Sequence, residues 1–132
     1  MAPGEVVRID RSGIHSLQVF PEHSRRAFCI FERVYFSRPD SWIEGKTNHD
    51  VRLALGRELA REYLAMSADI VVPIPDSGNL AAQGYAEERN LPFVMAFVRN
   101  HYIGRTFLEP TQENRELRAR MKLNLNKDLV KD

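Results

Sequence analysis

The sequence predicts an α/β chain built around one strand–loop–helix junction. Ile70-Val71-Val72 is a β-branched run of strand character, and the prolines at 73 and 75 stop it because neither can donate to a ladder. Asp76-Ser77-Gly78 supplies turn chemistry, and the Ala-rich stretch from Asn79 to about Arg89 reads as a helix. Leu91 to Val98 then gives a second apolar run. Strand, helix and strand with short connections make a βαβ unit, which predicts two parallel strands joined by a right-handed crossover.

Composition sets the bounds. With 132 residues the chain is one domain or a piece of a larger one. Its 19 basic and 18 acidic residues nearly cancel, so the charge balance points neither to nucleic acid nor to an anionic membrane. No apolar run approaches the roughly 20 residues of a spanning helix, and Met1-Ala-Pro-Gly-Glu lacks the regions of a signal peptide. A cytoplasmic location is expected. The single cysteine, Cys29, excludes an internal disulfide and a self-contained cysteine metal site.

Taken in order, Glu5 to Ile9 and Ile14 to Phe20 flank Asp10-Arg11-Ser12-Gly13, which predicts a β-hairpin over residues 1–20. Pro21 to Arg26 is polar and boundary-like. Ala27 to Phe36 carries aromatic and β-branched residues that favour a strand, ended by the turn residues Ser37 to Ser41. Within it Glu32 and Arg33 read as a solvated edge or local ion pair.

Thr47-Asn48-His49-Asp50 offers N-cap candidates for a helix from Asn48 to about Ala65. Val51, Leu55, Leu59 and Tyr63, with Ala54, form its apolar stripe, whereas Arg52, Arg57, Glu58, Arg61 and Glu62 form a wet face; this predicts a helix covering a sheet. Arg99 to Gln112 is long for an ordinary connection, holds Arg99, His101, Tyr102 and Arg105 close together, and has Gly104 as a hinge, which favours a lid. Glu113 to about Asn124 reads as a charge-rich helix, and Lys127 to Asp132 stops where another strand is expected.

The central loop has two readings. Asp76 or Ser77 could cap the following helix. Alternatively, Gly78 lets backbone approach a ligand, and N–H groups at the helix start favour an anion such as phosphate. Asp76 would repel phosphate unless it bonds sugar hydroxyls or shares the site with a divalent cation, for which Ser77 offers a hard oxygen.

Three separated stretches resemble glutamine-dependent amidophosphoribosyltransferases: Cys29-Ile-Phe-Glu-Arg-Val-Tyr-Phe-Ser-Arg-Pro-Asp-Ser, Val72-Pro-Ile-Pro-Asp-Ser-Gly and Arg99-Asn-His-Tyr-Ile-Gly-Arg-Thr-Phe. The resemblance runs from about Pro3 to the C-terminus. It implies a partial type I phosphoribosyltransferase fold, an incomplete parallel sheet with flanking helices, preceded by a hairpin from the end of an N-terminal-nucleophile glutaminase domain. Residues 1–20 would be that hairpin, 21–45 an interdomain segment and strand, and 46–132 the first half of the transferase domain.

In such enzymes, ammonia released from glutamine displaces pyrophosphate from phosphoribosyl pyrophosphate to give 5-phosphoribosylamine for purine synthesis. By resemblance, Asp76, Ser77 and Gly78 form the pyrophosphate loop, Ser77 is a magnesium ligand, and Arg99 binds substrate. Tyr102 and Arg105 are the working residues of a closing lid. Cys29 matches a ligand of a [4Fe-4S] cluster carried by part of the family, whose partner cysteines would lie beyond Asp132. The resemblance further implies a homo-oligomer.

Two departures stand out. The chain begins Met1-Ala2 rather than with a nucleophilic cysteine, and it lacks a strand with paired aspartates and a Gly-Thr-Thr turn. The expectation is therefore an inactive internal fragment of such an enzyme. The alternative is a non-catalytic phosphoribosyltransferase-like binding or regulatory module.

Overall fold

The computed structural model describes residues 2, 4–20, 27–65 and 67–130. The predicted hairpin is present: β1 (Glu5–Asp10) pairs antiparallel with β2 (Gly13–Gln18), with Glu5 opposite Gln18 and Asp10 opposite Gly13. Asp10 locks the turn by accepting from the Ser12 N–H at 2.8 Å and the Ser12 hydroxyl at 2.5 Å. These bonds hold its carboxyl below the usual range. Ile9 and Ile14 face each other across the ladder yet remain exposed. The boundary-like residues 21–26 lie outside the described residues.

The strand expected over Ala27 to Phe36 is replaced by a helical turn that widens to a π-turn at Glu32–Phe36, where the Ser37 N–H donates to the Glu32 carbonyl at 3.0 Å. Tertiary bonding overrides β-propensity here. Arg52 donates through Nε to the Arg33 carbonyl at 2.7 Å and through Nη2 to the Ser37 carbonyl at 2.6 Å. In a strand those carbonyls would be about 13 Å apart, out of reach of one guanidinium. Arg33 is buried rather than solvated. It donates to the Ile43 carbonyl at 2.6 Å and lies 5.5 Å from the Phe28 ring centroid.

A tight antiparallel pair follows, β3 (Trp42–Ile43) and β4 (Lys46–Thr47), turning through Glu44 and Gly45 at φ 49° and 77°. This is the backbone sign that two-residue hairpin turns require. Thr47 caps α1 (Asn48–Glu62), its side chain accepting from the Asp50 N–H at 3.1 Å.

The packed face of α1 is not the apolar stripe. Leu55, Leu59 and Tyr63 are exposed, whereas Asn48, Arg52, Gly56 and Ala60 are buried. That i, i+4 ridge meets α2 (Asn79–Arg89) at very short range. A Cβ on Gly56 would lie 1.9 Å from the Ala81 carbonyl oxygen, and one on Gly84 would lie 2.1 Å from that of Leu53. Helix therefore packs on helix through small residues. Arg57 with Glu87 (2.7 Å) and Arg61 with Glu88 (2.8 Å) zip the rim.

The expected parallel strands contract to one bridge, Val71 with Phe93, made by the Val71 N–H to the Pro92 carbonyl and the Val94 N–H to the Val71 carbonyl, both 2.9 Å. Prolines 73, 75 and 92 limit the available donors. The second run instead extends into β5 (Phe97–Arg99), paired antiparallel with β6 (Leu123–Leu125), which occupies what the sequence suggests is the end of the last helix. That helix is α3 (Gln112–Lys122), capped by Thr111. The architecture is thus mixed α/β with three small antiparallel sheets among the described residues. The buried apolar core is correspondingly small: Ala60, Ala86 and Ala96, beside the fully buried Pro73. No helix among the described residues is long and apolar enough to cross a membrane.

Candidate functional site

The Pro75–Ser77 loop and the start of the Arg99–Gln112 segment face each other across an open groove of about 650 Å³. The Val71–Phe93 bridge sets this arrangement, because it places the ends of the two extended runs side by side. The opposite wall is the Tyr35–Pro39 segment. Arg52 holds it through the Arg33 and Ser37 carbonyls, Asn48 donates to the Arg38 carbonyl at 3.2 Å, and the His49 N–H donates to that of Pro39 at 2.8 Å.

Electrostatics give the groove its character. Arg38, Arg52, Arg99, Arg105 and Lys122 line it against one carboxylate, that of Asp76. Several of these cations are already engaged. Arg38 makes a two-point pair with Asp40 (2.9 and 2.8 Å), and Lys122 donates to the Gly104 carbonyl at 2.9 Å. Arg99 pairs with Asp76. Arg105 has neither hydrogen bond nor ion pair among the described residues, so its charge is available to an anion.

Neither Asp76 nor Ser77 caps α2 with its side chain: the N-cap is Gly78, with no side-chain cap bond. The Gly78 and Asn79 N–H groups donate, at 3.2 Å each, to the Ile74 and Asp76 carbonyls. This folds the loop back on itself and removes those two donors from the set expected to face a ligand. A Cβ on Gly78 would lie 2.7 Å from the Ile74 carbonyl oxygen, so glycine is needed for the loop's own closure. The first turn of α2 carries no acid; the nearest carboxylate is Asp76, two residues before the Gly78 N-cap.

Of the sequence-derived residues, Asp76, Ser77, Arg99 and Arg105 come together on the groove. Gly78 is not on the groove lining. Tyr102 is fully exposed outside the groove lining, in a turn where its N–H donates to Asn100 Oδ1 at 3.0 Å. The lid segment is partly ordered by a 3-10 turn at Thr106–Leu108, with Thr106 buried. Sequence reasoning missed Arg52 and Lys122. The signal for Arg52 lay in its i+4 spacing to Asn48 and Gly56, a ridge of small and hydrogen-bonding residues beside a more apolar but unpacked stripe.

Asp76 and Ser77 offer hard oxygens at an exposed loop, with the Asp76 carboxylate paired with Arg99. Among the described residues no three His, Cys, Asp or Glu side chains converge on a metal site. An iron–sulfur cluster does not fit the chain itself: Cys29 is an exposed free thiol and the sequence has no second cysteine.

No family model matches the chain. Among curated proteins it is 45% identical over 122 residues to the amidophosphoribosyltransferase of Methanothermobacter thermautotrophicus, covering 92% of this chain and 25% of that protein. It is 46% identical over 127 residues to the Staphylococcus aureus enzyme of the same name, covering 96% and 25%. The chain is similar to amidophosphoribosyltransferases along nearly its whole length.

Solved structures agree. Glutamine phosphoribosylpyrophosphate amidotransferase from B. subtilis, complexed with ADP and GMP, superposes with TM-score 0.71 at 42% identity, over 97% of this chain and 28% of that one. A structure described as the allosteric regulatory enzyme of purine biosynthesis gives 0.68 at 42% identity, over 95% and 26%. The chain spans about a quarter of the length of the curated amidophosphoribosyltransferases it matches.

Proposed function

We propose that this chain is an internal portion of an amidophosphoribosyltransferase. On this reading residues 1–20 are the closing hairpin of a glutaminase domain, 21–45 connect the domains, and 46–132 begin a type I phosphoribosyltransferase domain. The observation that carries the proposal is the cationic groove, in which the Asp76-Ser77 loop faces Arg99 and Arg105 across a site suited to a diphosphate.

The reaction would form a bond from the ammonia nitrogen to the sugar C1 of phosphoribosyl pyrophosphate and break the C1–oxygen bond to pyrophosphate. The nitrogen loses a proton, and the products are 5-phosphoribosylamine and, from the glutaminase half, glutamate. Charge accumulates on the departing pyrophosphate. Arg105, the Ser77 hydroxyl and the positive end of α2 stabilise that charge. Magnesium, when bound with the substrate, would neutralise part of the diphosphate charge. The Tyr102–Phe107 segment closes over the site, where excluding water protects the reacting sugar from hydrolysis.

The test uses the full-length enzyme carrying this chain. Tyr102→Ala and Arg105→Ala should each lower ammonia-dependent transfer from phosphoribosyl pyrophosphate by 10-fold or more, about 1.4 kcal/mol in barrier, while glutamine hydrolysis proceeds. Full transfer activity in both variants would remove the segment from the mechanism.

A further inference from the structure

Arg52 is a buried cation without a counter-ion. It is 5% exposed, yet it lines the groove on the side of the Tyr35–Pro39 wall. Its Nε donates to the Arg33 carbonyl and its Nη2 to the Ser37 carbonyl. Those two nitrogens share one edge of the guanidinium, so two of its five N–H groups are spent on the wall. The end-on edge, Nη1 with the second N–H of Nη2, is left over. Among the described residues Nη1 meets no acceptor, and the guanidinium meets no carboxylate. Neighbouring Arg33 is also buried, but the Glu44 carboxylate lies 3.7 Å from its Nη2. The other cations of the groove differ too: Arg38 and Arg99 have carboxylate partners, Lys122 donates to a carbonyl, and Arg105 is exposed to water. Burying a charge is costly unless something pairs with it, and the two carbonyl dipoles offset only part of that cost.

We infer that Arg52 is the buried phosphoryl contact of the groove, its open edge taking two oxygens of one phosphoryl group, an inference that rests on the anion-binding reading above and adds a residue to it. The planar fork of an arginine matches two oxygens of a phosphate. Here the fork is already held by two backbone acceptors, so little side-chain freedom is lost when the anion arrives. The anion supplies the missing counter-charge at a place where burial strengthens the attraction. It also couples the ligand to the wall. One guanidinium then joins the phosphoryl group to the Arg33 and Ser37 carbonyls, so an occupied groove holds the turn at residues 33–37 more firmly than an empty one.

The test uses the full 132-residue chain and inorganic pyrophosphate without metal. In wild type with isotope-labelled arginine, the Arg52 side-chain signals are assigned from their proximity to residues 33 and 37 and followed by NMR through the titration. Pyrophosphate should move the Nη1 signal and slow the exchange of its protons with water. It should also slow exchange several-fold at the Ser37 amide, which donates to the Glu32 carbonyl. The second arm is calorimetric titration of Arg52→Lys at a temperature where circular dichroism shows it folded. Binding should be about 10-fold weaker, because an ammonium keeps the charge but lacks the two-point edge. If pyrophosphate binds wild type while the Arg52 signals and the Ser37 exchange stay put, Arg52 only braces the wall and the inference is overturned. Wild-type affinity in folded Arg52→Lys overturns it as well. Should Arg52→Lys fail to fold, the wild-type signals decide alone. No pyrophosphate binding by wild type removes the anion site of the proposed function, and the role of Arg52 with it.

Discussion

Gly84→Ala should loosen the α1–α2 pair on which both walls of the groove rest. The added Cβ would sit 2.1 Å from the Leu53 carbonyl oxygen and 2.9 Å from its carbon, whereas ordinary contact begins near 3.4 Å. The obstacle is backbone, which no rotamer change can move aside, so the helices must separate by about 1 Å. Such overpacking costs roughly 1–3 kcal/mol, and more when backbone must shift. Alanine returns up to about 1 kcal/mol of helix propensity. The net loss should be about 2 kcal/mol, read as a lower urea midpoint at constant slope, or roughly 8 °C in Tm for a chain of this size. Gly104→Ala is the control, because a Cβ there meets nothing within 4 Å; it should change stability by less than about 0.5 kcal/mol. Equal stability of Gly84→Ala and wild type would refute the close packing of the two helices.

Arg52→Met should destabilise by about 2–4 kcal/mol in denaturant titration, because it removes two bonds from a buried guanidinium and strands the Arg33 and Ser37 carbonyls. Arg52→Lys should not restore the loss, since one ammonium cannot span both acceptors. Acid should weaken the helix pair: Arg57 holds the Glu87 carboxyl, and Arg61 that of Glu88, below the usual 4.5. Their folded values being depressed, the stabilisation is complete above about pH 4.5 and is lost as pH falls through the lowered values. Arg57→Gln and Arg61→Gln together should flatten stability against pH in that window, and an unchanged slope would contradict it.

The sequence was most legible where local chemistry decides. The Asp10–Gly13 turn and the Thr47 cap follow from side-chain-to-backbone bonding within a few residues, and α2 spans Asn79–Arg89 between Gly78 and the left-handed Asn90. It misled where a distant partner decides. Residues 27–36 have strand composition but coil to bring two carbonyls to Arg52, and α1 buries its Asn48–Ala60 ridge because Gly56 and Gly84 permit backbone contact that leucines would prevent. The extended runs at Val71 and Phe93 are parallel as periodicity suggests, yet form a single bridge. For the site, motif residues Asp76, Ser77, Arg99 and Arg105 assemble on one groove. Arg52 and Lys122 stayed hidden because their placement depends on helix packing and on the β5–β6 pair.

The central claim, that the Asp76-Ser77 loop holds a magnesium-bound diphosphate, is tested most directly by titrating wild type and Ser77→Ala with pyrophosphate, with and without magnesium. Ser77 does not cap α2, so its hydroxyl should matter to the ligand and little to the fold. Magnesium should tighten binding to wild type, and Ser77→Ala should forfeit roughly 1–3 kcal/mol of that magnesium-dependent affinity while its urea midpoint stays put. Identical titrations for both proteins, or a loss of stability with affinity unchanged, would contradict the account and leave Ser77 a structural residue.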